Sequence, residues 1–412
     1  MANSLTVLDM VAKESLRLAH EKATFISTID RSYDDQYKTK GWKTGSALRV
    51  AMPNAYTRRQ GSRVMDVQDT TELTQTVTMA TQDGVDLQFN SAELTLNTSS
   101  PSEVDAFSRR YLEPAMSVLI SGIEADVLAT ATKDTYNQVG TAGTVVGSSS
   151  GDISALYNAR AKLNQFLAPM DNQRSVQLDS RTMAAIANGN KSIFHPDRQV
   201  SKAFAEGYYG RIGGFDMYEN ERTYSHTVGS DVTVATSSSS GTTDGGTTIT
   251  MNSTDGNINA GDVFTLPKVF AVHPETKAST GQLMQFVATA ASTGAITVSP
   301  TIYWSGPRQN VCNATGGASV VADFDSETMT FTGTAATAYK QSLAYHRDFA
   351  TFVTADLPLM DDSHKCVRKT MDGLSLRVWM ASDIVNDRLL CRLDILYGFK
   401  TLRPEWACRL TN

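Results

Sequence analysis

The sequence predicts a strand-rich α+β protein in which a long helix and a compact α/β module surround a block of short strands. Three observations predict it. A full set of capping residues opens an apolar repeat over 100–133; the stretch from Thr227 to Pro300 turns abruptly to Ser, Thr and Gly; and the last strand, Cys391 to Phe399, alternates apolar with polar residues.

Taken in order, Leu5 to Ile29 places apolar residues at Leu5, Leu8, Leu18 and Ala23 with charges between them, the spacing of an amphipathic helix. Between Gln36 and Met65 there are seven basic residues (Lys38, Lys40, Lys43, Arg49, Arg58, Arg59, Arg63) and no acid. Between Asp66 and Glu103 there are seven acids (Asp66, Asp69, Glu72, Asp83, Asp86, Glu93, Glu103) and no base. Such halves neutralise each other across one hairpin, or dock on neighbouring copies if the hairpin projects; a basic patch for nucleic acid is a third reading. Ser100 then serves as N-cap, Pro101 as the first helical residue and Glu103 as the closing member of a capping box. Apolar residues at Val104, Phe107, Tyr111, Ala115, Val118 and Ala125 carry that helix to Lys133, with a kink expected at Pro114.

Asp152 to Leu167, Ser180 to Asn188 and Val200 to Tyr209 read as helices, with a strand at Ser175 to Leu178, so an α/β module is expected here. Of the 74 residues from Thr227 to Pro300, 32 are Ser, Thr or Gly, which excludes a helical block. Thr247 to Met251, Asp262 to Leu266, Met284 to Ala288 and Ala295 to Ser299 are short strand-like runs separated by turns, the pattern of an antiparallel barrel or small sandwich. Mixed sequence resumes near Tyr339. Leu343 to Leu357 returns the chain to its host, and Leu374 to Ala381 with Cys391 to Phe399 completes a sheet. On the final strand Cys391, Leu393, Ile395, Tyr397 and Phe399 form the apolar face, opposite Arg392, Asp394 and Gly398.

Bulk chemistry narrows the function. With 412 residues the chain can bury two or three modules. A net charge of −6 argues against general nucleic-acid affinity. Asp9 and Lys13 interrupt the N-terminal apolar residues, so a soluble, cytosolically made protein is expected. Cys312, Cys366, Cys391 and Cys408 lack metal or redox spacing and are expected as reduced thiols. Gly147-Ser148-Ser149-Ser150-Gly151 matches a nucleophile elbow around Ser149, but three serines between glycines are a flexible loop by composition. Asp361, Asp362 and His364 stand close enough to share a cation, though such a cluster is ordinarily a solvated turn. No phosphate-binding loop is present. Neither a catalytic residue, a cofactor nor a metal is therefore assigned, and a structural protein is expected; a β-rich serine hydrolase using the Gly147-Ser149-Gly151 elbow and a tail or fibre structural protein are the alternatives.

Four segments carry a family resemblance. Tyr397-Gly398-Phe399 through Arg403-Pro404, Phe107-Ser-Arg109-Arg110-Tyr111 through Pro114-Ala115 with Ile123-Glu124, Gly210 through Gly214-Phe215-Asp216, and Val298-Ser-Pro300 through Gln309-Asn310-Val311 resemble, in order, segments of tailed-bacteriophage coat proteins. The type is the short-tailed Salmonella phage coat protein with an inserted β-domain. The resemblance implies the Hong Kong 97-type capsid fold: an N-terminal arm (1–35), peripheral strands and extended loop (36–99), a spine helix (100–133), an axial domain (134–226), an inserted antiparallel β-barrel (227–338) and a return through axial and peripheral domains (339–412). It further implies hexamers and pentamers in an icosahedral shell around double-stranded DNA, made in the host bacterial cytoplasm. Scaffolding protein and portal are the implied assembly partners, and a decoration protein is compatible.

Overall fold

The computed structural model describes residues 23–32, 47–59, 61, 65, 67–68, 72–90, 113–148, 153–189, 210–237, 242–252, 257–290, 294–313, 324–360, 365–371, 374–383 and 385–412. The expected helix over Val200 to Tyr209 and the capping box at Ser100 lie outside these residues, and the kink at Pro114 falls at their edge. Three α-helices are described: α1 (Glu113–Asp134), α2 (Ser154–Gln165) and α3 (Ser180–Gly189). Before α1 come strands β1 (Ala47–Met52), β2 (Leu73–Thr78) and β3 (Thr81–Asn90). Next are β4 (Gln138–Val139), β5 (Arg174–Leu178), β6 (Arg211–Ile212), β7 (Phe215–Glu219) and β8 (Ser225–Thr227). A run of strands follows: β9 (Thr233–Ala235), β10 (Gly246–Thr250), β11 (Val263–Val272), β12 (Ser279–Ala290), β13 (Ala295–Ile302), β14 (Val311–Cys312) and β15 (Thr328–Phe331). The last set is β16 (Ala338–His346), β17 (Ala350–Ala355), β18 (Lys365–Met371), β19 (Leu374–Asp383), β20 (Arg388–Thr401) and β21 (Ala407–Thr411).

Two compact units divide the chain. The first comprises Met1–Val50, Gln75–Val127 and Ala350–Lys400. Its sheet runs β17-β20-β19-β18, with β3 also paired to β20. Cys391, Leu393, Ile395 and Tyr397 are buried as their alternation requires, and Tyr397 stacks on Phe352 of β17 at 5.5 Å. Asp394 departs from the expected polar face. Its side chain is fully buried, with Arg377 Nη2 2.6 Å from one carboxylate oxygen and Arg392 Nε 2.6 Å from the other. A carboxylate in a low-dielectric sheet is tolerated because both oxygens are paired.

The N-terminal helix expected up to Ile29 does not extend over its described end. Ile26–Thr28 form a 3-10 turn, while 5–22 lie outside the described residues. The cause is a side chain competing with the helical ladder: the Phe25 N–H and the Thr24 hydroxyl both donate to the buried Glu124 carboxylate of α1. Asp30 then bridges to Thr351. α1 itself is long and apolar enough to cross a membrane by composition, but 56% of that window is buried within the protein, as in a core helix.

The second unit comprises Ala51–Thr74, Leu128–Phe349 and Thr401–Asn412. Its mixed sheet has the order β4-β21-β16-β5-β7-β6, with β8 also paired to β16. α2 and α3 cover it, burying Leu156, Leu163, Met183 and Ile186 against Val176, Phe215 and Leu410. Strands β9 to β15 form a second sheet, β10-β13-β12-β11-β15-β9, with β14 on β11, while β1 and β2 pair only with each other in a sheet of two. Its two ends meet. Thr236 bridges Met251, and the N–H groups of Asn252 and Ser237 donate across the seam to Ala235 O and Thr250 O, both at 2.9 Å. The sheet therefore curls round on itself as a barrel, its first and last strands joined at this seam. Phe264, Phe286, Phe324 and Phe331 fill it with mutual ring contacts of 5.1–6.4 Å, and each fully buried ring contributes about 1.5–3 kcal/mol.

Candidate functional site

A cluster of buried polar contacts lies where the barrel meets the mixed sheet. The backbone starts it: β8 and β16 pair antiparallel, Thr227 opposite Ala338, His226 opposite Tyr339 and Ser225 opposite Lys340. The chain thus enters and leaves the barrel through adjacent, hydrogen-bonded strands.

Arg409 of β21 is the central side chain. It is 1% exposed; Nη1 donates to Gly261 O at 2.7 Å and Nη2 to Lys133 O at 2.9 Å. The first acceptor belongs to the turn that opens β11. The second is a carbonyl in the last turn of α1, where the helix lacks its own donors and carries partial negative charge. One planar fork therefore caps a helix and holds a barrel turn. Burial holds its pKa down at about 10, opposed by the nearby carboxylates of Asp134 and Asp262, so the guanidinium is charged at neutral pH.

Beside it, His226 Nε2 lies 2.7 Å from Asp262 Oδ1, and both side chains are buried. Asp262 Oδ2 accepts the N–H groups of Gly229 at 3.0 Å and Asn259 at 2.8 Å. The carboxylate thereby pins the chain on both sides of the barrel's first crossing. Gly261 has φ +105°, and a Cβ there would stand 3.0 Å from His226 Cε1 and 3.1 Å from Lys133 Cγ. A third tie is reciprocal: Gln138 N donates to Gln285 Oε1 at 3.0 Å, and Gln285 Nε2 donates back to Gln138 O at 2.9 Å. Tyr136 and Phe166 of the host join the barrel core, edge to face at 5.9 Å. Burial, with the Glu405 carboxylate second, raises the Tyr136 hydroxyl well above its ordinary range. These groups offer no exposed nucleophile or ligand set; their chemistry is that of a rigid joint.

Residues 61–410 match the family described as P22 coat protein, gene protein 5. The chain belongs to that family. No curated protein matches it. Among solved structures it is similar to Mycobacterium phage Che8, with 10% identity, TM-score 0.49, and 94% of this chain and 90% of that chain covered. It is also similar to the capsid of cyanophage P-SCSP1u (10% identity, TM-score 0.44, 89% and 84% covered) and to the capsid of Ralstonia phage GP4 (8% identity, TM-score 0.45, 90% and 84% covered). This coat protein is a major capsid protein, a virion component that forms the phage head shell, and its own fold is mixed α+β.

The residues singled out in the sequence of this coat protein fall unevenly. Ser149 and Gly151 of the elbow, and Asp361, Asp362 and His364, lie outside the described residues. Gly147 is described, with φ +85° and Ile186 N and Cα only 2.8 Å from where a Cβ would be, so it serves close packing under α3. Among the described residues no group of three or more His, Cys, Asp or Glu is placed to hold a metal. All four cysteines are free thiols, Cys312, Cys391 and Cys408 buried and Cys366 half-buried.

Of the charge blocks, Lys38, Lys40, Lys43, Arg63, Asp66, Asp69, Glu93 and Glu103 lie outside the described residues. Asp83 and Asp86 lie on β3 and meet their own chain: Tyr397 Oη donates to Asp83 at 3.0 Å, and Arg392 Nε is 3.9 Å from Asp86. Sequence reasoning missed Arg409, His226, Asp262, Gln138 and Gln285.

Proposed function

We propose that this chain assembles as hexamers and pentamers into an icosahedral shell around double-stranded DNA, doing mechanical work and no catalysis. The family match over residues 61–410 carries the reading. Scaffolding protein and portal act with it during assembly in the host cytoplasm, DNA is enclosed without specific binding, and a decoration protein is an optional outer partner. In this reading 1–35 is an arm, 36–99 the peripheral strands and extended loop, and 100–133 the spine. Axial and peripheral parts take 134–226 and 339–412, and 227–338 is an inserted module.

Two features support that module. Thr227 pairs with Ala338, so the module's two ends are neighbours, and the barrel has its own aromatic core. The buried joint at Arg409 suits a load-bearing role, since paired groups in low dielectric resist displacement more than surface ion pairs do.

Sedimentation of the purified chain, alone and with a scaffolding protein, tests the proposal. Closed particles of uniform size are expected; a monomer or trimer under every condition refutes it. Ser149→Ala is expected to give the same particle yield, whereas an esterase activity lost in that variant would show a catalyst.

A further inference from the structure

α2 has two chemically different sides. Leu156, Ala159 and Leu163 enter the core of the α/β module. Asn158, Ala161, Lys162 and Gln165, spaced i, i+3, i+4 and i+7, share another side. That side meets Thr280 and Gln282 of β12 across a cleft of about 570 Å³.

Among the described residues lining this cleft, Lys162 alone is charged. Its ammonium makes no ion pair or hydrogen bond with any described residue. Burial pulls its ammonium below the ordinary 10.5, and the group acting in the opposite sense is the Cys408 thiol. Burial holds that thiol at about 12, so it is neutral at pH 7 and supplies no counter-charge. The side-chain amides of Asn158, Gln165 and Gln282 are also unengaged among the described residues. A partly desolvated cation without a partner is unfavourable, and it stands here among amide donors. The complementary ligand has one negative charge and two acceptor oxygens. A carboxylate meets both conditions; a phosphate would bring excess charge against one ammonium.

The chain holds 43 acidic against 37 basic residues, so carboxylates without basic partners are in surplus on every copy. A shell repeats the same contact between copies. We propose that the cleft between α2 and β12 is a carboxylate subsite, filled in the assembled particle by an Asp or Glu side chain of a second copy of this chain. The inference rests on the assembly reading above.

The test uses full-length chain, half of it 15N-labelled, mixed before assembly and sedimented to isolate particles. A water-soluble carbodiimide then joins touching ammonium and carboxylate groups as an amide, the expelled oxygen leaving in the reagent's urea. Peptide mass spectrometry is expected to find Lys162 linked to an acidic peptide of the other label, and to find no such link in unassembled subunits. Lys162→Gln is expected to assemble roughly tenfold more slowly, and Lys162→Arg to recover most of that loss. Particles in which Lys162 stays unlinked, or links only within one label, overturn the proposal, as does Lys162→Gln assembling at the wild-type rate. If the wild-type chain sediments without particles, the assembly reading itself has failed and takes this inference with it.

Discussion

Replacing Arg409 with Met removes the guanidinium while keeping a long apolar stem in the same slot. Two carbonyls, the buried Gly261 O and the part-buried Lys133 O, lose their charged donor. Each orphaned acceptor costs about 1–3 kcal/mol. The native state already carries one defect there, since Arg409 Nε is buried without a partner among the described residues, and its removal returns about 1 kcal/mol. Desolvation of the cation is also relieved. The balance is a loss of about 2–4 kcal/mol, concentrated at the α1 C-terminus and the barrel turn. Hydrogen exchange reads this locally: amides of the last turn of α1 and of Gly261 are expected to exchange about 30-fold faster or more. Arg409→Lys should fall between, because one ammonium cannot span both carbonyls as the fork does. Wild-type protection at both sites in Arg409→Met would refute the claim that this side chain holds helix and barrel together.

Three further outcomes follow from local geometry. Gly261→Ala forces a side chain into φ +105° against His226 and Lys133; a stability loss of about 1–3 kcal/mol is expected in urea titration, and an unchanged midpoint would contradict it. Glu221 is held below its ordinary 4.5 by hydrogen bonds from the Ser180 side chain and backbone, with Lys340 adding to them. The folded state then binds fewer protons than the unfolded one as pH falls past 4.5, so the stabilisation is present above that pH and lost as pH drops through the folded value. Melting of Glu221→Gln should differ from wild type at neutral pH and converge with it in acid. In unassembled subunits at pH 8, iodoacetamide should label Cys366 first, while Cys391, pushed to about 11, and Cys408, at about 12, react only in urea.

The local rules reached the elements whose neighbours are local. α2 and α3 and the strand between them stand within two residues of their expected limits, because each has its own period and turn residues. β11 shows where such rules stop: the apolar run ends at Leu266 before Pro267, yet the strand continues to Val272 through a register shift between Thr265 and Phe270. This break in register leaves the proline out of the ladder, and no residue pattern announces it. Asp394 read as solvent-facing because alternation assigns a face without naming what covers it. Its cross-strand neighbour is Arg377, contributed by a strand paired only in the folded sheet.

Arg409 was further out of reach. Every residue of β21 is buried, so the strand has no polar side to betray it. Its acceptors lie 148 and 276 positions away. The one available signal was a lone arginine inside Ala407-Cys408-Arg409-Leu410, which a half-buried strand would equally place in water.

Because β8 and β16 are paired where the barrel begins and finishes, the polypeptide crosses that neck twice within the width of one ladder step. A segment whose two ends already touch can be exchanged for another, or for a tight turn, without asking the host sheet to span a new distance. Topology alone would thus let the barrel be exchanged in the laboratory. Chemistry does not, since a host deprived of it would keep Arg409 bonded to α1 alone, with half its fork facing the space that Gly261 had filled. A viable replacement must bring one backbone carbonyl to that spot.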